Sequence, residues 1–191
     1  MHDPAPGLKA ITLKTHETPD TPVRLLSCID KILYRRSIRR YKKTPVPEGV
    51  KAKILEAGRL APSAANRQPW HFIICEDAAS KEKLSKGRWS GFIKDSAFAI
   101  IGVSLPFDDT SRKFGVIDTT IALQNMVLAA EVQGVGTCWV GDYREDEVKK
   151  EFGIPAEATV VCIVTFGLPD EKPGSPRKSK PLAQMVHVEK W

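Results

Sequence analysis

The stretch Leu60–Glu76, LAPSAANRQPWHFIICE, decides the fold because it joins a helical pattern to a strand pattern through a short loop. Pro62 ends the preceding helix, since the residue before a proline avoids helical backbone angles. Pro69 has no amide hydrogen and is tolerated at the entrance to a strand, here the apolar run Trp70–Ile74. The sequence therefore predicts a helix, a loop and a strand in immediate succession.

The loop between these elements consists of small and amide side chains. Small side chains let backbone N–H groups approach a flat ligand closely, and Ser63, Asn66 and Gln68 add donors and acceptors that suit a heterocycle or a chain of hydroxyls. The alternative is an ordinary connection, because serine and asparagine are common in turns. The residues alone leave both interpretations open.

A second polar feature is a basic cluster of six cations between Arg35 and Lys43, which follows a helical apolar pattern starting at Val23. The planar fork of arginine donates paired, charge-assisted hydrogen bonds, which suit a phosphate. A solvated basic face and a nucleic-acid site are the alternatives. We expect no nucleic-acid binding, because no aromatic stacking pattern or helix-turn-helix signature accompanies the charge.

The two features together form a specific pattern. The string P-S-x-x-N-x-Q-P-W, which begins 23 residues after the last arginine of R-R-S-x-R, resembles the FMN-dependent nitroreductase family. The resemblance extends from about Cys28 to Trp191. It implies an α+β fold with a mixed central β-sheet flanked by helices, and a C-terminal arm that is exchanged in a homodimer.

The resemblance also implies which residues bind FMN. They are Arg35, Arg36, Ser37 and Arg39 at the phosphate, Pro62, Ser63, Asn66 and Gln68 in the loop, the backbone of Val140 and Gly141 at flavin N5 and O4, and Arg177 and Lys178 in the arm. Ser63 and Asn66 are expected to face the cofactor of the partner.

Two aromatic side chains, Trp89 and Phe92, lie in the glycine-containing loop Gly87–Lys94. Loops of this kind are candidate lids over a ligand. We therefore predict that both residues border the substrate pocket, with the alternative that they cover the edge of the core.

The function implied by the resemblance is electron transfer from NAD(P)H to an electron-poor acceptor, a nitroaromatic or a quinone, by ping-pong hydride transfer. No catalytic side chain is predicted, because flavin N5 carries the chemistry. Two other reactions share the fold, namely flavin cleavage to a benzimidazole and reductive dehalogenation. A non-catalytic flavin-binding protein is a further alternative, since fold does not determine function.

Length and composition indicate a single domain of 191 residues. We assign residues 1–21, which are rich in proline and threonine, to a loosely ordered extension and residues 22–191 to the FMN-binding domain. The longest apolar run, Ala97–Val103, is too short to cross a bilayer, and the first 26 residues have no apolar core of signal-peptide type. We therefore expect a cytoplasmic protein that does not enter membranes.

The four cysteines and four histidines are scattered along the chain, without the close pairs that a zinc site requires. We therefore predict no metal site and free, mostly buried cysteines.

The remaining pattern predicts the order helix, helix, strand, helix, strand, helix, strand, helix, strand. The run Ala97–Leu105 is apolar on both faces and is predicted to be a central strand. Residues Pro106–Arg112 are predicted to form a turn, and Val116–Gln133 a helix with apolar residues around nearly its whole circumference. Such a helix must be buried, and we expect it in a subunit interface.

Overall fold

The computed structural model describes residues 28–172 and 178–191. The first range contains five α-helices, four strands and two short 3₁₀ turns. The helices are α1 (Cys28–Tyr34), α2 (Glu48–Arg59), α3 (Ala78–Leu84), α4 (Asp109–Val132) and α5 (Glu145–Phe152), and the strands are β1 (Trp70–Cys75), β2 (Phe98–Ser104), β3 (Gly136–Val140) and β4 (Thr159–Gly167). The predicted order of helices and strands is confirmed.

The second range, residues 178–191, belongs to a separate unit and contains a 3₁₀ turn at Leu182–Gln184. The rings of His187 and Trp191 stack there with their centroids 4.5 Å apart. The predicted extension, residues 1–21, lies outside the described residues.

The four strands form one sheet in the order β1-β2-β4-β3, and every pair of neighbours is antiparallel. The parallel contact among the described residues is a bridge between Ser37 and Thr137 beside β3. The four-stranded sheet itself is thus antiparallel, and this single bridge is the parallel element that accompanies it. The bridge attaches the basic segment, Arg35–Lys43, to an edge of the sheet.

The strand β2 lies at the centre of the domain, because all seven of its residues are buried and both of its edges are paired. Alternate residues of β2 point into two separate clusters, in keeping with the two-residue period of a strand. Phe98 and Ile100 pack with α2 and α4 on one face. Ala99 and Ile101 pack on the other face with Leu84 of α3 and residues of α5. The prediction of a central strand is confirmed, and helices cover both faces of the sheet.

The helix α4 begins at Asp109, seven residues before the predicted start at Val116, so the prediction of a turn up to Arg112 is wrong. The polar stretch at its start has no apolar periodicity, but it carries a capping box. The Ser111 N–H donates to Asp108 Oδ1 over 2.7 Å, and the Asp108 N–H donates to Ser111 Oγ over 2.9 Å. These two bonds satisfy amides that would otherwise lack partners at the helix start.

The faces of α4 differ in burial. One face contributes Leu123, Met126 and Val127 to the core beside α2, and each of them is fully buried. Another face leaves Val116 and Ile117 about half exposed, at 49% and 56%. The helix is therefore only partly covered within one chain. Among the described residues, no helix combines the length and the apolar character needed to cross a bilayer.

Two glycines shape the connection from α4 to β3. Gly134 has a φ of +76°, a left-handed conformation that glycine adopts without steric cost and that ends the helix. Gly136 permits a close approach, because a Cβ atom there would lie 2.8 Å from Ile38 Cγ1. The basic segment can therefore lie directly against the first residue of β3.

The stacked rings of Phe98 and Phe166, with centroids 4.7 Å apart and at most 2% exposed, give a test of the core. We expect Phe166→Ala to lower the free energy of unfolding by about 3–5 kcal/mol, because the substitution removes buried area and leaves a cavity. Urea denaturation at a fixed protein concentration measures the change. Phe107→Ala, at a residue that is 64% exposed, is the control and should change stability by less than about 0.5 kcal/mol. A loss below 1 kcal/mol for Phe166→Ala would contradict this core arrangement.

Candidate functional site

The basic segment after α1 runs alongside β3. Ser37 forms a parallel bridge with Thr137, and the Ile38 N–H donates to the Thr137 carbonyl oxygen over 2.9 Å. Because the segment is extended here, consecutive side chains point to opposite sides. The sequence R-R-S-I-R is thereby divided into two sets.

One set consists of Arg35, Ser37 and Arg39, and all three influence the thiol of Cys138 on β3 electrostatically or through a hydrogen bond. Burial raises the pKa of that thiol, whereas Arg39, a hydrogen bond with the Ser37 side chain and Arg35 act in the opposite direction. The alternation therefore directs three of the four residues predicted at the phosphate to one side of the segment, and they carry two guanidinium groups and one hydroxyl. Their role at a phosphate stays a prediction.

Arg36 belongs to the other set. Its Nη1 donates to the carbonyl oxygens of Tyr34, over 3.1 Å, and of Arg35, over 3.0 Å. The side chain borders a cavity of about 150 Å³ that Glu131 and Glu171 also line. Its Nε is buried and has no hydrogen-bond partner among the described residues. Its assignment to the phosphate stays a prediction, and the geometry places it apart from the other three.

Glu171 fixes the end of the basic segment. Its Oε1 accepts hydrogen bonds from the backbone N–H groups of Arg39 and Arg40, over 2.6 and 3.3 Å, and these bonds hold the pKa of Glu171 below its usual value. Arg40 Nε also lies 3.4 Å from Glu171 Oε2. The Arg39 side chain forms no salt bridge with the described residues, and its Cζ lies 5.9 Å from the centre of the Phe92 ring.

The loop that decides the fold contains a 3₁₀ turn at Ala64–Asn66 and has an unusual backbone. Ala65, Asn66 and Gln68 have φ angles of 48°, 55° and 49°, although none of them is glycine. Each left-handed residue costs on the order of 1 kcal/mol, except where a short polar side chain such as that of asparagine reduces the cost. Strain of this kind persists only where surrounding contacts impose it, and it is concentrated at functional sites.

Several hydrogen bonds impose this conformation. The Gln68 N–H donates to Ser63 Oγ over 2.9 Å, so this hydroxyl closes the loop. The Ala64 N–H donates to Oδ1 of the buried Asp118 over 3.1 Å. Pro62, Asn66 and Gln68 are exposed. These three predicted loop residues are therefore accessible to a ligand, whereas the hydroxyl oxygen of Ser63 already accepts a hydrogen bond within the loop.

The end of β3 is the third part of the predicted site. Val140 is buried, whereas Gly141 is exposed and a Cβ atom there would have no neighbour within 4 Å. The side chain of the next residue, Asp142, accepts a hydrogen bond from the Trp89 N–H. This bond places the loop that carries Trp89 beside the open backbone at Gly141.

The two predicted pocket aromatics differ in environment. Trp89 is 71% exposed, as a residue at the rim of a pocket would be. Phe92 is partly buried and packs against the core cluster on the α3 and α5 face of the sheet. The alternative that the aromatics cover the edge of the core therefore describes Phe92, and the assignment of Trp89 to a substrate pocket stays a prediction.

The parts of the predicted site lie at opposite edges of the sheet. The loop leads into β1 at one edge, and Gly141 leaves β3 at the other. Three strand spacings, about 14 Å, separate these edges. Arg177 lies outside the described residues, and Lys178 is exposed in the separate C-terminal unit.

Sequence reasoning missed the carboxylates that hold these segments, namely Asp118, Asp142 and Glu171. Asp118 had a detectable signal, because it is an isolated acid in the apolar part of α4. Cys75, Cys138 and Cys162 are buried and free, as predicted. The described ranges contain no group of three or more metal-ligating side chains that could hold an ion.

Comparison with known proteins gives a consistent result. A model described as the nitroreductase family matches residues 32–168. A protein of Methanothermobacter thermautotrophicus, provisionally named NADH dehydrogenase/NAD(P)H nitroreductase, is 34% identical over 90% of this chain and 92% of its own length. A Thermus thermophilus protein named NADH dehydrogenase is 28% identical over 81% and 92% of the two chains. A solved FMN-dependent nitroreductase from Clostridium difficile has a TM-score of 0.76 at 28% identity and covers 85% and 99% of the two chains.

The left-handed conformation of Ala65 gives a test of the loop. We expect Ala65→Gly to be neutral or to stabilise the protein by up to about 1 kcal/mol, because glycine relieves the left-handed strain and this gain offsets its larger unfolded-state entropy. Ala52→Gly, at an exposed interior position of α2, is the matched control and should destabilise by about 0.5–1 kcal/mol. Thermal and urea unfolding report both values. Equal losses from the two substitutions would argue against a strained turn.

Proposed function

Because the chain belongs to the nitroreductase family and is an NAD(P)H-dependent flavin oxidoreductase, we propose that its flavin is FMN and that its acceptor is an electron-poor aromatic, a nitroaromatic or a quinone. The observation that carries this proposal is the arrangement along one edge of the sheet. Arg35, Ser37 and Arg39 alternate along the extended segment that pairs with β3, and β3 ends at the open backbone of Gly141.

The donors along this edge fit a cofactor that ends in a monophosphate. Two guanidinium groups and a hydroxyl provide charge-assisted and neutral hydrogen bonds, and the Arg39 guanidinium has no carboxylate partner among the described residues. In this proposal Arg35, Ser37 and Arg39 hold the phosphate, and the backbone N–H groups of Val140 and Gly141 lie at the ring. The description of a solved relative as FMN-dependent supports the choice of FMN.

The chain's own residues would bind and orient the reactants rather than take part in bond making. When bound, the flavin supplies the hydride chemistry between NAD(P)H and the acceptor. The backbone N–H groups at the end of β3 would stabilise negative charge on the ring, as preorganised donors do. Trp89, tethered beside Gly141 through Asp142, would border a single slot. A single slot admits the donor and the acceptor in turn, which gives ping-pong kinetics.

A second copy of the chain would complete the site. The loop Pro62–Gln68 and the basic segment lie at opposite edges of one sheet, so the loop would serve the cofactor of the partner. Exposed apolar side chains on two helices provide a surface for this association: Ile29, Ile32 and Leu33 on α1, and Val116, Ile117, Ile121 and Val132 on α4. The arm that carries Arg177 and Lys178 is proposed to extend across the partner.

The cofactor and the kinetic order form one test. We expect the purified protein to be yellow, to release FMN on heating and to oxidise NAD(P)H in the presence of a quinone or a nitroaromatic. Chromatography of the released flavin and steady-state kinetics measure these properties. Double-reciprocal plots at several acceptor concentrations should be parallel, because the two substrates use the same slot. Release of FAD, or intersecting lines, would require a different site.

The phosphate assignment is tested by a pair of double variants. Hydrogen bonds to charged groups contribute about 1.5–3 kcal/mol each, so Arg35→Ala with Arg39→Ala should weaken FMN binding by roughly two to four orders of magnitude. Arg40→Ala with Lys42→Ala removes the same charge from the same segment and should change the affinity little. Fluorescence titration of FMN into the apoprotein gives the dissociation constants. Equal losses from both pairs would indicate bulk charge rather than a specific site.

The subunit arrangement is tested on the exposed face of α4. We expect the full chain to be a homodimer, and Ile117→Arg to shift it towards monomer with loss of FMN binding, because the charge would lie in an apolar contact. Ile74→Arg, on the edge strand β1 and 39% exposed, is the control. Light scattering at several protein concentrations gives the masses. A wild-type chain that binds FMN as a monomer at micromolar concentration would exclude the shared site.

A further inference from the structure

Asp118 occupies an unusual place in the middle of α4. It is only 3% exposed, although aspartate is rarely buried without a partner. One of its oxygens, Oδ1, accepts the Ala64 N–H over 3.1 Å. The other, Oδ2, is buried and has no hydrogen-bond partner among the described residues. A buried carboxyl group with one oxygen lacking a hydrogen-bond partner lowers the stability of the fold. Its presence therefore suggests a function other than stabilising the core.

The partner of Asp118 indicates that role. Ala64 is the first residue of the 3₁₀ turn, immediately before Ala65 and Asn66 with their positive φ angles. A hydrogen bond at this position fixes the start of the turn relative to α4. The far end of the loop is fixed separately, because the Leu105 N–H donates to the Pro69 carbonyl oxygen over 2.9 Å. The strained residues lie between these two attachments.

The other bonds of the loop cannot replace this attachment. The bond between the Gln68 N–H and Ser63 Oγ lies within the loop and does not connect it to the rest of the domain. Arg67 pairs with Asp108, but both side chains are partly exposed, at 41% and 32%, and exposed pairs are weak. The partly buried bond from the Ala64 N–H to the buried Asp118 is therefore the contact that sets where the loop begins.

We propose that Asp118 is a positioning residue, which holds the Ser63–Gln68 loop in the strained shape that binds the cofactor. This inference rests on the proposed function for the identity of the ligand, but not for the effect on the loop. Asp118 acts through the backbone of Ala64 and does not itself contact the cofactor. The half-satisfied carboxyl group lowers the stability of the fold, but it keeps the loop in its binding conformation before the ligand arrives.

Amide hydrogen exchange on the apoprotein tests the loop directly. Asp118→Leu replaces the acceptor with an apolar side chain of similar size, whereas Asp118→Asn keeps an acceptor for the Ala64 N–H. We expect the peptide that covers residues 61–70 to exchange about 10–100-fold faster in the Leu variant, with β2 and β4 unchanged, and the Asn variant to restore most of the protection. FMN affinity should fall and recover in parallel with the exchange rates.

A variant on the loop side keeps the test decisive if Asp118→Leu fails to fold. Ala64→Pro removes the donor instead, at the first position of a turn, where proline is accepted and the extended Ser63 is compatible with it. It should also accelerate exchange of the loop, and add little in the Asp118→Leu background. Thr119→Val, at the neighbouring fully buried residue, is the control and should leave loop exchange unchanged.

The outcomes separate this proposal from the proposed function. Unchanged loop exchange in the Leu and Pro variants, or an Asn variant as fast as the Leu variant, would overturn the positioning role. A wild-type protein that binds no FMN would overturn the proposed function, while the exchange data would still decide whether Asp118 holds the loop.

Discussion

The attachment of the basic segment to β3 is the contact on which the candidate site depends. The hydrogen bond from the Ile38 N–H to the Thr137 carbonyl oxygen sets the register, and Gly136 leaves room for the approach. Once the register of the segment on β3 is set, the two-residue period of an extended chain directs the side chains of Arg35, Ser37 and Arg39 to the same side. Glu171 then fixes the end of the segment through two backbone N–H groups.

The opposite edge of the sheet is organised by a different kind of constraint. There the loop before β1 adopts left-handed angles at residues that do not favour them, and hydrogen bonds that the side chains of Ser63 and Asp118 accept from loop N–H groups hold it in place. In the proposed homodimer, the strained loop of one copy and the cations of the other would meet at one cofactor. The exposed apolar residues of α1 and α4 would provide the surface for that association.

Much of the fold could be predicted from the sequence because local patterns and tertiary packing agree. The central strand β2 is apolar on both faces in the sequence and buried on both faces in the structure. The start of α4 could not be predicted from apolar spacing, because its first turns are polar and depend on the cap at Asp108. The separation of Arg36 from its neighbours depends on the pairing with β3, which no local pattern reveals. The family assignment came from the motifs, whereas the roles of Asp118 and Glu171 required tertiary contacts.

The thiol of Cys138 has a consequence for the chemical durability of the protein. The thiolate is the form of cysteine that alkylating agents and oxidants attack, and burial keeps this thiol protonated by raising its pKa against the pull of two arginines. The protonated, less reactive form of Cys138 is therefore favoured even though Arg39 and Arg35 act in the opposite direction. We expect the thiol of Cys138 to react slowly with alkylating agents although it lies in a basic part of the sheet.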